Sequence, residues 1–457
     1  MITTMKSDET KKKSSNATSK DTTKKPDSPV SRRDFVKASM GAAAVAPFAL
    51  GSLSVARAAH VGGGDSIKVG LVGCGGRGTG AATQALKADP GAILVAMADA
   101  FEDRLESSLK TLRGNFGDKV RVNDDTKFVG FDAYQKLIDS GVDVVLLATP
   151  PAFRPAHLKA AIHANKHVFC EKPMAVDGPG VRSVIESAAE AKRRNLSLVS
   201  GFCWRYSEPQ RATYGRIHDG AIGDIRAMYT TYNTGGWVAP RKREAGWSDM
   251  EAQMRSWHYF TWLSGDHIVE QACHSIDWIN WAFQGRMPEK CHASGGRQTR
   301  EDVPETGHVY DHFAVTYEYE DGARAFHMCR HFPNSPGDNT AYLMGSKGTC
   351  YSNPWSPSQI QISGENEWYY DGERNDMYQT EHDELFASIR DGKPMNDGEW
   401  MANSTLLAIM GRMAAYTGQV ITAEQALNSQ ESLVPATLAW GPMETPQVAK
   451  PGETKFF

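Results

Sequence analysis

Apolar and polar positions divide this 457-residue chain into three stretches. Residues 1–30 are polar and rich in Ser, Thr and Lys, with nothing to bury, and read as a disordered tail. From Ile67 to about Cys203, short apolar runs alternate with helical periodicity. Ile67–Val72, Ile93–Ala98, Val142–Ala148, His167–Cys170 and Leu196–Phe202 predict strands. Thr79–Ala88, Phe131–Ser140, Ala156–Ala164 and Val181–Arg193 predict helices. Such alternation specifies an α/β fold, a doubly wound parallel sheet with helices on both faces. After Trp204 longer strand-like segments follow, among them Ile225–Asn233, His312–Tyr319 and Ala323–Arg330. They predict a mostly antiparallel sheet with few helices. Helical pattern returns at Asp376–Arg390 and Glu399–Tyr416, and Gly441–Phe457 is expected to wrap a neighbouring surface or stay loose. The expected divisions are 1–58, 66–203, 204–440 and 441–457.

The turn after the first strand carries the most specific chemistry. Gly73-Cys74-Gly75-Gly76-Arg77-Gly78 is G-x-G-x-x-G between a strand and a helix, suited to a pyrophosphate at a helix N-terminus. Asp99 closes the second strand 21 residues past the last glycine, where a carboxylate binds a ribose 2′-hydroxyl and repels a 2′-phosphate. The cofactor expected is therefore NAD. Arg104 is counted with the nucleotide contacts.

The N-terminal region also carries an address. Ser31-Arg32-Arg33-Asp34-Phe35-Val36-Lys37, a weakly apolar stretch Ala38–Leu53 and Ala56-Arg57-Ala58 form the n-region, h-region and A-x-A site of a twin-arginine signal peptide. Sixteen apolar-leaning residues fall short of the ~20 that span a bilayer, so a stable membrane anchor is the weaker reading. Cleavage near Ala58 would deliver the protein to the periplasm already folded around its cofactor. It would remove eleven Lys/Arg and five Asp/Glu, taking the net charge from −4 to −10. An acidic surface disfavours nucleic acid as a partner. The seven cysteines (74, 170, 203, 273, 291, 329, 350) show no C-x-x-C spacing, and neither a zinc knuckle nor a disulfide framework is expected.

Three segments point to the chemistry. Thr149-Pro150-Pro151 through His157 follows a strand end near the expected nicotinamide. Glu171-Lys172-Pro173 follows another, where Glu171 and Lys172 are counted with the nucleotide contacts and a lysine aimed by the turn would stabilise an alkoxide. A helix over Asp266–Phe283 would gather His267, Glu270, His274, Asp277 and Trp281 on one face. Glu270 and Asp277, at i−4 and i+3 from His274, could then orient it as a general base. His267, Glu270 and His274 also suit a metal, but a mononuclear site would usually need a further ligand, and no metal is expected. Arg205, Trp204, Trp237 and Trp257 are candidate sugar contacts with Asp277, although core packing is the commoner use of each tryptophan.

These ordered motifs, with Gly201-Phe202 preceding Arg205, resemble the Gfo/Idh/MocA oxidoreductases from Ile67 to about Ala439. The resemblance implies an N-terminal Rossmann domain, a C-terminal α/β domain with a large open sheet, and a homodimer or homotetramer. It makes Lys172 the catalytic lysine and His274 the acid/base histidine. Glu270 stands where family dehydrogenases commonly carry Asp. The export signal is similar to that of the periplasmic glucose–fructose oxidoreductases. The expected activity is hydride exchange between bound NAD and a sugar, polyol or glycoside. Two alternatives stay open: a redox glycosidase similar to the NAD-dependent α-N-acetylgalactosaminidases, working by transient C3 oxidation, and an NAD-bound sugar sensor without turnover.

Overall fold

The computed structural model describes residues 66–236 and 239–456. The proposed leader, its cleavage site and Trp237 lie outside these residues.

The first sheet has six parallel strands, β1 (Ile67–Val72), β2 (Ala92–Asp99), β3 (Lys127–Val129), β4 (Val144–Leu147), β5 (His167–Cys170) and β6 (Leu198–Ser200). Their order is β3-β2-β1-β4-β5-β6. β1 and β4 are buried almost throughout, because helices cover both faces, so these strands read as continuous apolar runs in the sequence. The order reverses between β1 and β4, which opens a crevice at the strands' carboxyl ends. The helix Gly76–Ala88 starts there.

The second sheet has nine strands: β7 (Ile225–Thr234), β8 (Lys290–Gly296), β9 (His312–Glu318), β10 (Arg324–His331), β11 (Ala341–Gly345), β12 (Gly348–Ser352), β13 (Gln361–Gly364), β14 (Trp368–Tyr369) and β15 (Ile421–Thr422). They run in the order β14-β13-β12-β11-β7-β10-β9-β8-β15, antiparallel except for the β7–β10 pair. β9 and β10 alternate buried and exposed residues, one face packed and the other open. The nearly all-buried helix Gly398–Thr417 packs on β8 and β9 and on the helices Gly178–Arg193 and Cys273–Ala282, joining the two sheets through one core.

Two expectations need correction. The second half contains more helix than its strand pattern suggested, including Glu208–His218 and Asp249–Arg255. The helix expected over Asp266–Phe283 is two pieces, His267–Glu270 and Cys273–Ala282. The break has a tertiary cause. The Glu270 carbonyl accepts a hydrogen bond from the Lys172 ammonium, while His274 N–H turns to the Gln271 carbonyl at 3.4 Å. The i, i+4 geometry between Glu270 and His274 is thereby lost.

The C-terminal segment wraps the molecule. Tyr310 Oη donates to the Ala449 carbonyl, and Gly452 N–H to that of Thr417.

Candidate active site

A cavity of about 460 Å³ opens at the β1/β4 switch point. Its floor is the glycine turn. Gly73 has φ +94°, a left-handed conformation that favours glycine, and a Cβ on Gly78 would lie 1.8 Å from the Gly73 carbonyl oxygen. Gly75 and Gly76 line the cavity with open space where their Cβ atoms would be. The helix Gly76–Ala88 begins without a side-chain cap or an acidic residue in its first turn. Its leading N–H groups lack intrahelical acceptors. A bare helix N-terminus beside empty volume fits a pyrophosphate.

At the far end of β2, Asp99 Oδ2 accepts from Cys74 N–H at 2.6 Å and Oδ1 from Phe101 N–H at 2.9 Å. Burial pushes its carboxyl pKa up, against the pull of those two hydrogen bonds. Arg104 and Arg241 also line this end. Thr149, Pro150 and His157 line the other side of the crevice. His157 stacks on Tyr134 with ring centroids 4.0 Å apart, and Thr149 Oγ1 lies 3.3 Å from its Nδ1. Burial, followed by the Arg154 charge, lowers its pKa to about 3, so the ring is neutral. The opposite wall comes from the second half of the chain: Met254, Arg255, Ser256, Trp257, His258 and Tyr259, with Glu270 beyond them.

Three expected nucleotide contacts sit elsewhere. Cys74 is buried with its Sγ 3.5 Å from the Ala98 carbonyl oxygen. Glu171 is buried behind the glycine turn in an ion pair with Arg77, Nε to Oε1 3.0 Å, and the Arg77 guanidinium also lies over the Tyr378 ring at 4.8 Å. Lys172 turns to Glu270, its Nζ 3.2 Å from Oε1, with the two side chains 13% and 12% exposed. Burial works to lower the lysine pKa, but Glu270 and its neighbours outweigh it and the net shift is upward. Burial works to raise the Glu270 pKa, and Lys172, then His258, carry it net downward. The pair is an ammonium and a carboxylate.

His274 lies edge-on to Phe202 at 6.0 Å, and its buried Nδ1 has no hydrogen-bond partner. Burial, then the Lys172 charge, holds its pKa well below that of an ordinary histidine. Neither expected carboxylate orients it. Glu270 serves Lys172. Asp277, buried, takes Arg205 in a two-pronged pair, with Nε to Oδ2 and Nη2 to Oδ1 both 2.8 Å, and accepts from Ser404 Oγ at 2.6 Å.

The expected sugar contacts divide the same way. Arg205 is sandwiched between Trp281 and Trp400, 4.7 and 4.4 Å from the ring centroids, outside the cavity. Trp204 is core, packed edge-on against Trp278 and Trp355, because the turn after β6 points it inward. Trp257 alone of the described candidates lines the cavity. His258, stacked on Trp257 at 3.8 Å, was not anticipated, although the run Trp257-His258-Tyr259 could have drawn attention to it. His267 pairs with Asp266 at 3.1 Å, and among the described residues no group of three or more His, Cys, Asp or Glu side chains is placed to hold a metal ion. All seven cysteines are buried free thiols. Among the described residues no helix is long and apolar enough to cross a membrane.

A switch-point cavity over a glycine turn, with an acid at the end of β2, defines a dinucleotide-binding α/β protein. Comparison with known families is more specific. Residues 67–199 match the oxidoreductase family with an NAD-binding Rossmann fold, and residues 211–351 match the Gfo/Idh/MocA C-terminal domain. The chain belongs to the Gfo/Idh/MocA oxidoreductase family, and its cofactor is NAD. It is 27% identical over 238 residues to trans-1,2-dihydrobenzene-1,2-diol dehydrogenase of Mus musculus and 26% to that of Sus scrofa. These matches span 51% of this chain and 63% of each relative's length. Solved structures share the fold. Levoglucosan dehydrogenase in complex with NADH and levoglucosan superposes with a TM-score of 0.63 at 17% identity, over 79% of this chain and 100% of that one. Aldose–aldose oxidoreductase from Caulobacter crescentus, complexed with glycerol, gives 0.60 at 19%, over 78% and 99%. Scyllo-inositol dehydrogenase from Lactobacillus casei gives 0.60 at 20%, over 79% and 99%.

Proposed function

We propose that this protein oxidises a CH–OH group of a sugar or polyol, working in the periplasm as a homodimer or homotetramer with NAD carried through twin-arginine export. The observation that carries the reading is the buried Lys172–Glu270 pair beside a neutral His274, with Glu270 facing the nucleotide cavity. Bound NAD supplies the hydride acceptor. Gly73–Gly78 hold its pyrophosphate, Asp99 its adenosine ribose, and Thr149, Pro150 and His157 flank its reactive end.

The remaining work falls to side chains. The Lys172 ammonium donates to the substrate hydroxyl and stabilises the alkoxide as the proton leaves. His274, uncharged, accepts that proton. Its orphaned Nδ1 supports a site completed by substrate, since a buried imidazole nitrogen without a partner is costly. Glu270 keeps Lys172 charged and fixes its direction, which makes it a positioning residue rather than the base's partner. Trp257 and His258 offer an aromatic face and a polar edge to the sugar.

The test is a panel of sugars and polyols added to enzyme purified from the periplasm. Growth of the reduced-nicotinamide band supports the reading. Aglycone release from aryl glycosides without net reduction would reassign the enzyme as a redox glycosidase, and no response to any sugar would favour a sensor. Changing Arg32 and Arg33 together to Lys should retain the protein in the cytoplasm; unchanged export would remove that part of the proposal.

A further inference from the structure

The adenosine end of the cavity is closed from behind by residues far away in the sequence. Phe101 follows Asp99 in the loop after β2, Phe131 lies in the loop after β3, and both rings line the cavity. Trp440 lies across the pair, its ring centroid 4.5 Å from that of Phe131 and 5.5 Å from that of Phe101. Arg255 also lies over Phe101, 4.1 Å from the ring centroid, and forks onto Asp103 with two contacts of 3.1 Å. Phe101 is therefore held by two residues of the second half of the chain.

The segment that carries Trp440 is anchored on both sides. Leu433 N–H donates to Asp177 Oδ2 at 2.9 Å. Met250 N–H donates to the Gly441 carbonyl and Met443 N–H to Asp249 Oδ2, each at 3.1 Å. Leu433, Val434, Leu438 and Met443 pack into the apolar cluster that includes Met254, part of the cavity wall. Trp440 itself remains 45% exposed. A half-exposed indole within a segment anchored on both sides, with two cavity-wall rings beneath it, has the geometry of a cover. The carboxyl ends of β2 and its neighbour are where a dinucleotide places its adenosine.

We propose that Trp440 belongs to the nucleotide site: residues 433–443 form a strap over the adenosine end, and the strap sets how fast the cofactor leaves. The inference deepens the reading of a carried cofactor and rests on the nucleotide site described above. Loss of Trp440 would leave Phe101 and Phe131 each without one packing partner and free the two loops to part.

The experiment uses the full chain loaded with NADH and chased with excess NAD, following nicotinamide fluorescence. Trp440→Ala should speed release by about tenfold or more, the effect expected from losing two aromatic pairs, while Trp440→Phe should restore most of the retention. Wild-type release rates in a folded Trp440→Ala would overturn the strap. A wild-type protein that binds no nucleotide would instead defeat the reading beneath it. If Trp440→Ala does not fold, hydrogen exchange on the wild type decides. Amides of residues 437–443 should exchange more slowly with NADH bound, and equal exchange with and without nucleotide would contradict the proposal.

Discussion

Lys172 and Glu270 are 98 residues apart in sequence and meet at 3.2 Å, both nearly buried, where the two halves of the chain join. Each fixes the other's charge. For Lys172, with its pKa raised in the folded state, the stabilising contribution is fully present below the unfolded value near 10.4. It is lost as pH rises through the folded value. Glu270 runs the other way: its contribution is present above about 4.3 and lost as pH falls through its depressed folded value.

Glu270→Gln removes the carboxylate and leaves the burial. The Lys172 pKa then falls, and the alkaline limb of the kcat profile should move to lower pH, with nucleotide affinity changed little. A pH–rate profile checks this; an unmoved alkaline limb would mean that Glu270 does not hold the lysine's charge. The acid limb should lie well below 6.5 in both proteins, because His274 stays neutral into acid.

The glycine turn separates fold from binding. In Gly78→Ala the new methyl group would meet the Gly73 carbonyl oxygen at 1.8 Å, and the thermal midpoint should drop by several degrees. In Gly75→Ala the methyl group enters open space on the cavity floor. That variant should melt as the wild type does, yet bind NAD about tenfold or more weakly, because the backbone no longer approaches the pyrophosphate. Calorimetry and nucleotide titration distinguish the two.

Asp99→Ser should relax cofactor choice. The carboxylate that would repel a 2′-phosphate is removed, and Arg104 and Arg241 remain at that end of the cavity. The ratio of the NAD and NADP dissociation constants should shift toward NADP by about tenfold or more, roughly the worth of one charged contact. An unchanged ratio would place the ribose elsewhere.

Arg205 and Asp277 were expected to meet substrate, and they meet each other instead. Asp277→Ala strands a largely buried guanidinium between two indoles and should cost about 3–5 kcal/mol of stability. Denaturant unfolding measures it. A loss of turnover with full stability would return Asp277 to the substrate site.

What the sequence made legible follows from how local each signal is. β1, the glycine turn and Asp99 lie within 33 residues, and strand period, glycine spacing and the acid all agree, so the nucleotide half could be read directly. Helical periodicity misled over Asp266–Phe283 because the competing donor, Lys172, lies about 100 residues upstream, and its claim on the Glu270 carbonyl carries no local signature. The same holds for the cavity's second wall. Met254, His258 and Tyr259 have unremarkable spacing, and tertiary packing alone sets them opposite the glycine turn. Trp204 and Trp257 look alike as residues in the sequence, yet one is core and the other lines the cavity.

In the proposed reaction Lys172 stabilises a sugar or polyol alkoxide while NAD is held close by. This role is tested most directly by adding polyols and sugars to nucleotide-loaded wild type and Lys172→Ala, and following the reduced-nicotinamide band. Reduction is expected in the wild type and a rate lower by about 10²–10³ or more in the variant, with nucleotide still bound in both. Equal rates in the two proteins, or a loaded wild type inert to every polyol and sugar, would contradict it.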